Sequence, residues 1–313
     1  MWAKLMGSTP SSQSSRRHNP KEHVLVLGGT GRTGRKLVER LCDDGRFEIT
    51  AVVRSLDKAQ LTFGENIENI NVVEGDLTDV AAWSHRLAGV NQIVAAVSCG
   101  LCTDVGVLLG YREAPANMPA QVDSKGIAAL AEAAKEHGVR KVVAVTTASA
   151  GSPWSAAAIF LNAYRFFSVK HKFEGEQALR RSGLDYVILR PYGLGNDVPP
   201  PPGKRGIEYT QGKTPSSTRR RIPREDVACL CHEALLLEQP TASRATFECW
   251  ATDAHAQPMD WAALAPDPSG ALPEVNHDLP VLATVGGVTL AGAGTLRLLR
   301  GLWRTLRFIA RRY

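Results

Sequence analysis

Seven apolar, β-branched runs recur along this chain, at residues 23–29, 47–54, 70–76, 92–98, 141–148, 185–191 and, more weakly, 245–250. They are continuous rather than alternating, the pattern of strands covered on both faces, as in a parallel sheet. Between them lie segments of helical periodicity at 31–44, 80–87, 119–138, 155–182 and 224–238, with Gly138 and Gly183 placed to close two of them. Strand and helix in alternation predict an α/β fold, a doubly wound parallel sheet with helices on both faces. A chain of 313 residues, 44% hydrophobic and 22% charged, has enough material for one such core.

A glycine-rich turn, Gly28-Gly29-Thr30-Gly31-Arg32-Thr33-Gly34, sits directly between the first run and the first helix. Glycines there let backbone amides and a helix N-terminus approach a pyrophosphate where any Cβ would collide. The context predicts a Rossmann-type dinucleotide-binding domain over residues 21–250, with Gly28, Thr30, Gly31, Arg32, Thr33 and Gly34 at the cofactor. The second run ends in Arg54, where an NAD site would carry an acidic residue for the ribose hydroxyls. A guanidinium suits a 2′-phosphate instead, so the cofactor is expected to be NADP(H), with Arg32 as a possible second cation or a solvated surface residue.

Other chemistries fit less well. Cys99 and Cys102 form a Cys-x-x-Cys after the fourth run, open to a redox reading or to simple packing, in a context unlike thioredoxin. Cys229, Cys231 and His232 fall on one predicted helix with no further ligands at matched spacing, so no metal is expected. No Gly-x-Ser-x-Gly elbow is present, which argues against a serine hydrolase. Six cysteines without a secreted-scaffold spacing indicate a reducing compartment.

The residues now on the page resemble a known family. The turn, Gly75-Asp76-Leu77, Val122-Asp123-Ser124-Lys125-Gly126, the run 142–147 and Leu189-Arg190-Pro191 together are similar to the atypical and extended short-chain dehydrogenase/reductases, in particular the NAD(P)H-binding, NmrA-like subgroup. The resemblance covers about residues 21–240. It implies that Asp76 approaches the adenine, that Ala95, Ala96, Val97 and Ser98 with Thr146 and Thr147 line the dinucleotide cleft, and that Pro191, Tyr192 and Leu194 border the nicotinamide. The Pro/Gly-rich basic segment 197–221 becomes a cover on the substrate side.

One departure matters. Family members carry Tyr-x-x-x-Lys, and here Lys172 is preceded four residues earlier by Ser168. Lys172 is expected to hold the nicotinamide ribose, but serine is a poor proton donor to a substrate carbonyl compared with a tyrosine whose pKa a lysine lowers. Tyr164, one turn further back, is either a substitute donor or a core aromatic.

Charge is concentrated at the end of the chain. The formal net charge is +6, and residues 297–313 hold six arginines and no acid, so the rest of the chain sums to zero (6 − 6). That argues against a nucleic-acid-binding body, which needs cations spread over a groove-facing surface. Residues 279–296 carry no charge, and the arginines that follow lie largely opposite Leu299, Leu302, Trp303, Leu306 and Ile309 on a helix. This C-terminal extension, residues 251–313, is open to three readings: a membrane span, a basic amphipathic helix on an anionic membrane surface or membrane protein, or a self-packed tail. Residues 1–20 are Ser-rich and acid-free, like a transit peptide to a chloroplast or mitochondrion; a disordered leader on a cytoplasmic protein is the alternative.

Two functions follow as expectations. The first is an NADPH-dependent oxidoreductase passing hydride to a quinone, flavin or similar small-molecule electron acceptor that asks little proton donation of the protein. The second is a non-catalytic NADP(H)-binding accessory or assembly subunit of an organelle membrane protein complex.

Overall fold

The computed structural model describes residues 21–99, 107, 111–113, 115–195, 206–211, 221–252, 259–268 and 275–291. The strands are β1 (Glu22–Leu27), β2 (Phe47–Val53), β3 (Ile70–Glu74), β4 (Gln92–Ala95), β5 (Lys141–Val145), β6 (Asp185–Pro191), β7 (Gly193–Gly195), β8 (Gly206–Thr210), β9 (Arg221–Pro223) and β10 (Ala245–Thr252). Eight of them form one sheet in the order β3-β2-β1-β4-β5-β6-β10-β8, while β7 and β9 pair separately. Seven strands of the sheet are parallel, and β8 runs antiparallel along β10.

The helices are α1 (Gly34–Asp44), α2 (Leu56–Phe63), α3 (Ile127–Glu136), α4 (Ala156–Tyr164), α5 (Ser168–Ser182), α6 (Arg224–Leu236) and α7 (Asp278–Ala291). Successive strand residues point to opposite faces, and both faces are apolar. Val24 and Val26 pack with Leu37 and Leu41 of α1 and Val227 and Leu230 of α6. Leu25 and Leu27 turn the other way, toward Leu130 of α3 and Leu179 of α5. Each such side chain contributes about 1.5–3 kcal/mol by leaving water, which is why these runs contain no alternation. The strand order reverses between β1 and β4, opening a crevice at their carboxyl ends.

Three segments depart from the sequence expectation. Residues 80–87 form a helix only over the short 3₁₀ turn Ser84–Leu87. The helix expected over 155–182 is broken into α4 and α5, with Phe166 and Phe167 both at positive φ (50° and 56°) and both buried. Adjacent residues of a continuous helix point about 100° apart, so burying both rings competes with helical propensity, and packing prevails. Asn162, itself buried, stabilises the break: its Oδ1 accepts the N–H groups of Val169 (3.0 Å) and Lys170 (3.1 Å) at the start of α5. Tyr164 therefore ends a different helix from the one that carries Lys172. The basic segment 197–221 contributes β8 as an edge strand and delivers Arg221 into β9.

The extension begins as a packed element. His277 is buried against the Phe173 ring (5.6 Å between centroids) and near Asn162 (3.4 Å), and Lys170 pairs with both oxygens of Asp278 at 2.9 Å. Among the described residues no helix is long and apolar enough to cross a membrane, and the arginines of 297–313 lie outside them.

A buried charge network ties α5 to the sheet. Glu176 accepts from Arg190 Nε of β6 (3.0 Å), from Arg180 Nη1 (3.3 Å) and from Thr146 Oγ1 beyond β5 (2.6 Å), while Arg180 Nε also reaches Asp267 (3.0 Å). Burial alone would push the Glu176 carboxyl up, but the charge and hydrogen bonds of Arg190, with Arg180 and Thr146, outweigh it and hold it below its usual range. Glu176→Ala leaves two guanidiniums buried without this partner. It is expected to cost roughly 3–5 kcal/mol in chemical denaturation; a loss under about 1 kcal/mol would mean that the arginines regain water instead.

Candidate functional site

The glycine turn folds back on itself over the end of β4. Gly28 has φ +80°, and a Cβ there would lie 2.5 Å from the Ala96 carbonyl oxygen. A Cβ on Gly34 would lie 2.1 Å from the Gly28 carbonyl oxygen, to which Gly31 N–H donates at 2.8 Å. Only glycine fits at those two positions. Thr33 enters α1 without any side chain capping the helix, and the Arg35 N–H of its first turn is taken by the Gly31 carbonyl (3.0 Å).

The crevice above the turn is a single continuous cleft of about 1170 Å³. Of the turn, Gly28, Thr30, Gly31, Arg32 and Thr33 line it, while Gly34 packs beneath. Ala96, Val97 and Ser98 form the wall after β4, and Thr146 and Thr147 the wall after β5. Ala95 lies below them in the sheet, buried. Pro191, Tyr192 and Leu194 complete the far side. The Tyr192 hydroxyl meets Glu248 (3.1 Å), and its ring packs edge-on to Trp250.

Arg54 directly follows β2 and lines the cleft, as does Lys58 on α2. Lys58 went unnoticed in the sequence. Its signal was Ser55, whose side chain accepts Lys58 N–H (3.2 Å), opens α2 and sets the lysine one turn from Arg54. Asp76 also lines the cleft, its carboxylate accepting Thr78 N–H at 2.8 Å.

At the opposite end, Lys172 Nζ donates to Asp123 Oδ1 (2.7 Å) and to the Val97 carbonyl (3.3 Å). Asp123 is buried in the π-helical turn Ala120–Gly126 that leads into α3, and Gly175 permits the contact, since a Cβ there would sit 2.1 Å from the Asp123 carbonyl oxygen. Two motifs far apart in sequence thus form one ion pair at the cleft. Ser168 does not join them: it is buried at the start of α5 and lines no part of the cleft. The side chain of Tyr164 lies outside the described residues.

The described cysteines of these two motifs are not activated. Burial, then Asp123, pushes the Cys99 thiol up to about 12, and Cys102 lies outside the described residues. Cys231 is buried and likewise raised to about 12, Cys229 meets Glu233, and His232 meets Asp44 (2.5 Å), so the three diverge.

Fold and cleft together define a dinucleotide-binding protein of the Rossmann type. The chain belongs to the family described as NAD(P)H-binding, whose pattern matches residues 28–238. It is 32% identical over 221 residues to an uncharacterized chloroplastic protein of Arabidopsis thaliana, covering 69% of this chain and 72% of that one. It is 27% identical over 174 residues to the photosystem II assembly factor Ycf39 of Cyanophora paradoxa, covering 55% of this chain but only 45% of that protein. Among solved structures, a putative NAD-dependent epimerase/dehydratase from Bacillus halodurans superposes with a TM-score of 0.58 at 24% identity, over 75% of this chain and 96% of that one.

The residues present suit NADP(H): a glycine cradle that a Cβ would fill, the N-terminus of α1 beside it for a pyrophosphate, and two cations, Arg54 and Lys58, able to meet a 2′-phosphate. Replacing Arg54 by alanine is expected to weaken NADPH binding by roughly 10-fold to 100-fold in a fluorescence titration, with NADH affinity changed little. Equal weakening for both would place the guanidinium elsewhere than at the 2′-phosphate.

Proposed function

We propose that this protein is an NADPH-dependent oxidoreductase that passes a hydride to a quinone, flavin or similar conjugated acceptor. The observation that carries this reading is the pairing of an intact Lys172–Asp123 site with a tyrosine slot filled by Ser168, which is buried away from the cleft. NADPH supplies two electrons and one proton as hydride, and the acceptor takes its second proton from water, so the overall change is acceptor + NADPH + H⁺ to reduced acceptor + NADP⁺. Lys172 holds the nicotinamide ribose and adds positive charge near developing negative charge on the acceptor. Trp154 and Leu161 offer an apolar wall for a flat acceptor. The packed start of α7 also favours this reading, since it ties the extension to the enzyme body.

A second reading is an accessory or assembly subunit of an organelle membrane complex. The likeness to an assembly factor supports it, together with the arginine-rich residues 297–313. A chloroplast location is proposed under either reading. It is supported by the chloroplastic Arabidopsis relative and by the acid-free, Ser-rich residues 1–20.

Purified full-length protein is expected to oxidise NADPH against members of a quinone and flavin panel, and Ser168→Ala to leave kcat/KM within about 2-fold, since the hydroxyl lies off the cleft. A protein that binds NADPH tightly yet reduces nothing in the panel sinks the enzyme reading. Co-migration with a large membrane assembly, lost when residues 297–313 are deleted, would then favour the second.

A further inference from the structure

Among the described residues the cleft carries six cationic side chains, Arg32, Arg54, Lys58, Arg165, Lys172 and Arg224, and one acidic side chain, Asp76. A phosphorylated dinucleotide accounts for those at the turn and the adenosine end, where Arg54 and Lys58 face a 2′-phosphate and Arg32 a pyrophosphate. Arg224 is held near Arg32 by a bond from its guanidinium to the Gly195 carbonyl (3.0 Å). Lys172 is met by Asp123. Arg165 remains.

Arg165 stands at the other end of the cleft. It occupies the break between α4 and α5, and the Cys99 thiol at the end of β4 feels its charge together with those of Asp123 and Lys172. Its backbone N–H is tied to Leu161 O (2.8 Å), but no acceptor among the described residues meets its guanidinium, and its Nε is buried without a partner. A buried guanidinium nitrogen left unbonded is costly, and such a group calls for a physical explanation, a functional role among them.

The chain is strained where it presents this residue. Phe166 and Phe167 follow at positive φ, and Asn162 braces the turn from both sides: its carbonyl accepts Phe167 N–H (2.9 Å), and its side chain accepts the first amides of α5. Backbone outliers held by surrounding packing concentrate at functional sites. On the same side, Trp154 and Leu161 line the cleft, Trp154 largely exposed at its mouth.

We propose that Arg165 anchors an oxyanion, such as a carboxylate, sulfonate or phosphate, carried by the hydride acceptor, whose apolar conjugated body lies along Trp154 and Leu161. This rests on the hydride-transfer reading above. The acceptor is therefore an amphiphile, an anionic group on a flat apolar frame, rather than a neutral quinone.

The test uses full-length protein and a matched pair, 1,2-naphthoquinone and 1,2-naphthoquinone-4-sulfonate, compared by the ratio of variant to parent so that intrinsic reactivity cancels. Arg165→Gln is expected to raise KM for the sulfonate roughly 10-fold to 100-fold, while KM for the neutral quinone and Kd for NADPH stay within about 3-fold; Arg165→Lys keeps part of the sulfonate preference. Equal losses for both quinones, or weakened NADPH binding with unchanged selectivity, would overturn the assignment. Should the parent protein reduce neither quinone, the hydride reading fails and the anchor is judged separately, by titrating the sulfonate into NADP⁺-loaded protein. Binding weakened in Arg165→Gln sustains the anion site, whereas no binding, or binding equal in both proteins, overturns it.

Discussion

Glu176 is a fully buried carboxylate set between two buried guanidiniums, and the geometry of the cleft depends on where it holds α5. Arg190 fixes it to the end of β6 and Thr146 to the end of β5, the two strands whose carboxyl ends form one wall of the site. Lys172, four residues earlier on the same helical face, is thereby set at the sheet edge. From the opposite side Asp123 takes hold of the ammonium, and Gly175 lets α5 close on the π-helical turn that carries Asp123. The ammonium is thus located by ion pairs at both ends of one helical turn. Such pairs contribute little net stability once desolvation is counted, and their effect here is positional.

Much of the fold was legible because it follows from burial on both faces of the sheet. Runs such as Val24-Leu25-Val26-Leu27 have no polar residue to spare, and a parallel sheet sandwiched by helices is the arrangement that requires this. What escaped was decided by contacts distant in sequence or by very short pairing. The break at Phe166 and Phe167 depends on Asn162 reaching forward to α5, a side-chain cap that periodicity does not register. Strand β8 lies in a Pro/Gly-rich stretch and gains its partner from β10 some forty residues on. The three-residue strands β7 and β9 are too brief to leave a pattern.

The site divides in the same way. Glycines that a Cβ would drive into carbonyl oxygens are visible in one dimension, because their spacing is set by the turn itself. The place of Arg54 at the cleft is equally legible, since the end of the second strand opens onto the cofactor crevice in this fold. Asp123 falls within a recognisable motif, yet nothing in its spacing tells that it pairs with a lysine 49 residues away. Arg165 gave no signal at all. Its significance lies in lacking a partner among the described residues, which only a three-dimensional arrangement can express.

The C-terminal extension is joined to this cleft rather than appended to it. His277 is buried, its pKa lowered chiefly by that burial, and it packs on Phe173 and Asn162, the residue that braces the turn presenting Arg165. Lys170, two residues before Lys172, holds Asp278 at the first turn of α7. The α4–α5 break and the start of α7 thus share one small set of contacts, His277 with Asn162 and Phe173, and Asp278 with Lys170. The exposed apolar side chains Phe160 and Leu279 belong to these same elements, and the exposed Trp154 lies just before α4. The enzyme and assembly readings therefore meet at one place in the fold, since α7, which a partner could engage, packs beside the break that presents Arg165 to the cleft.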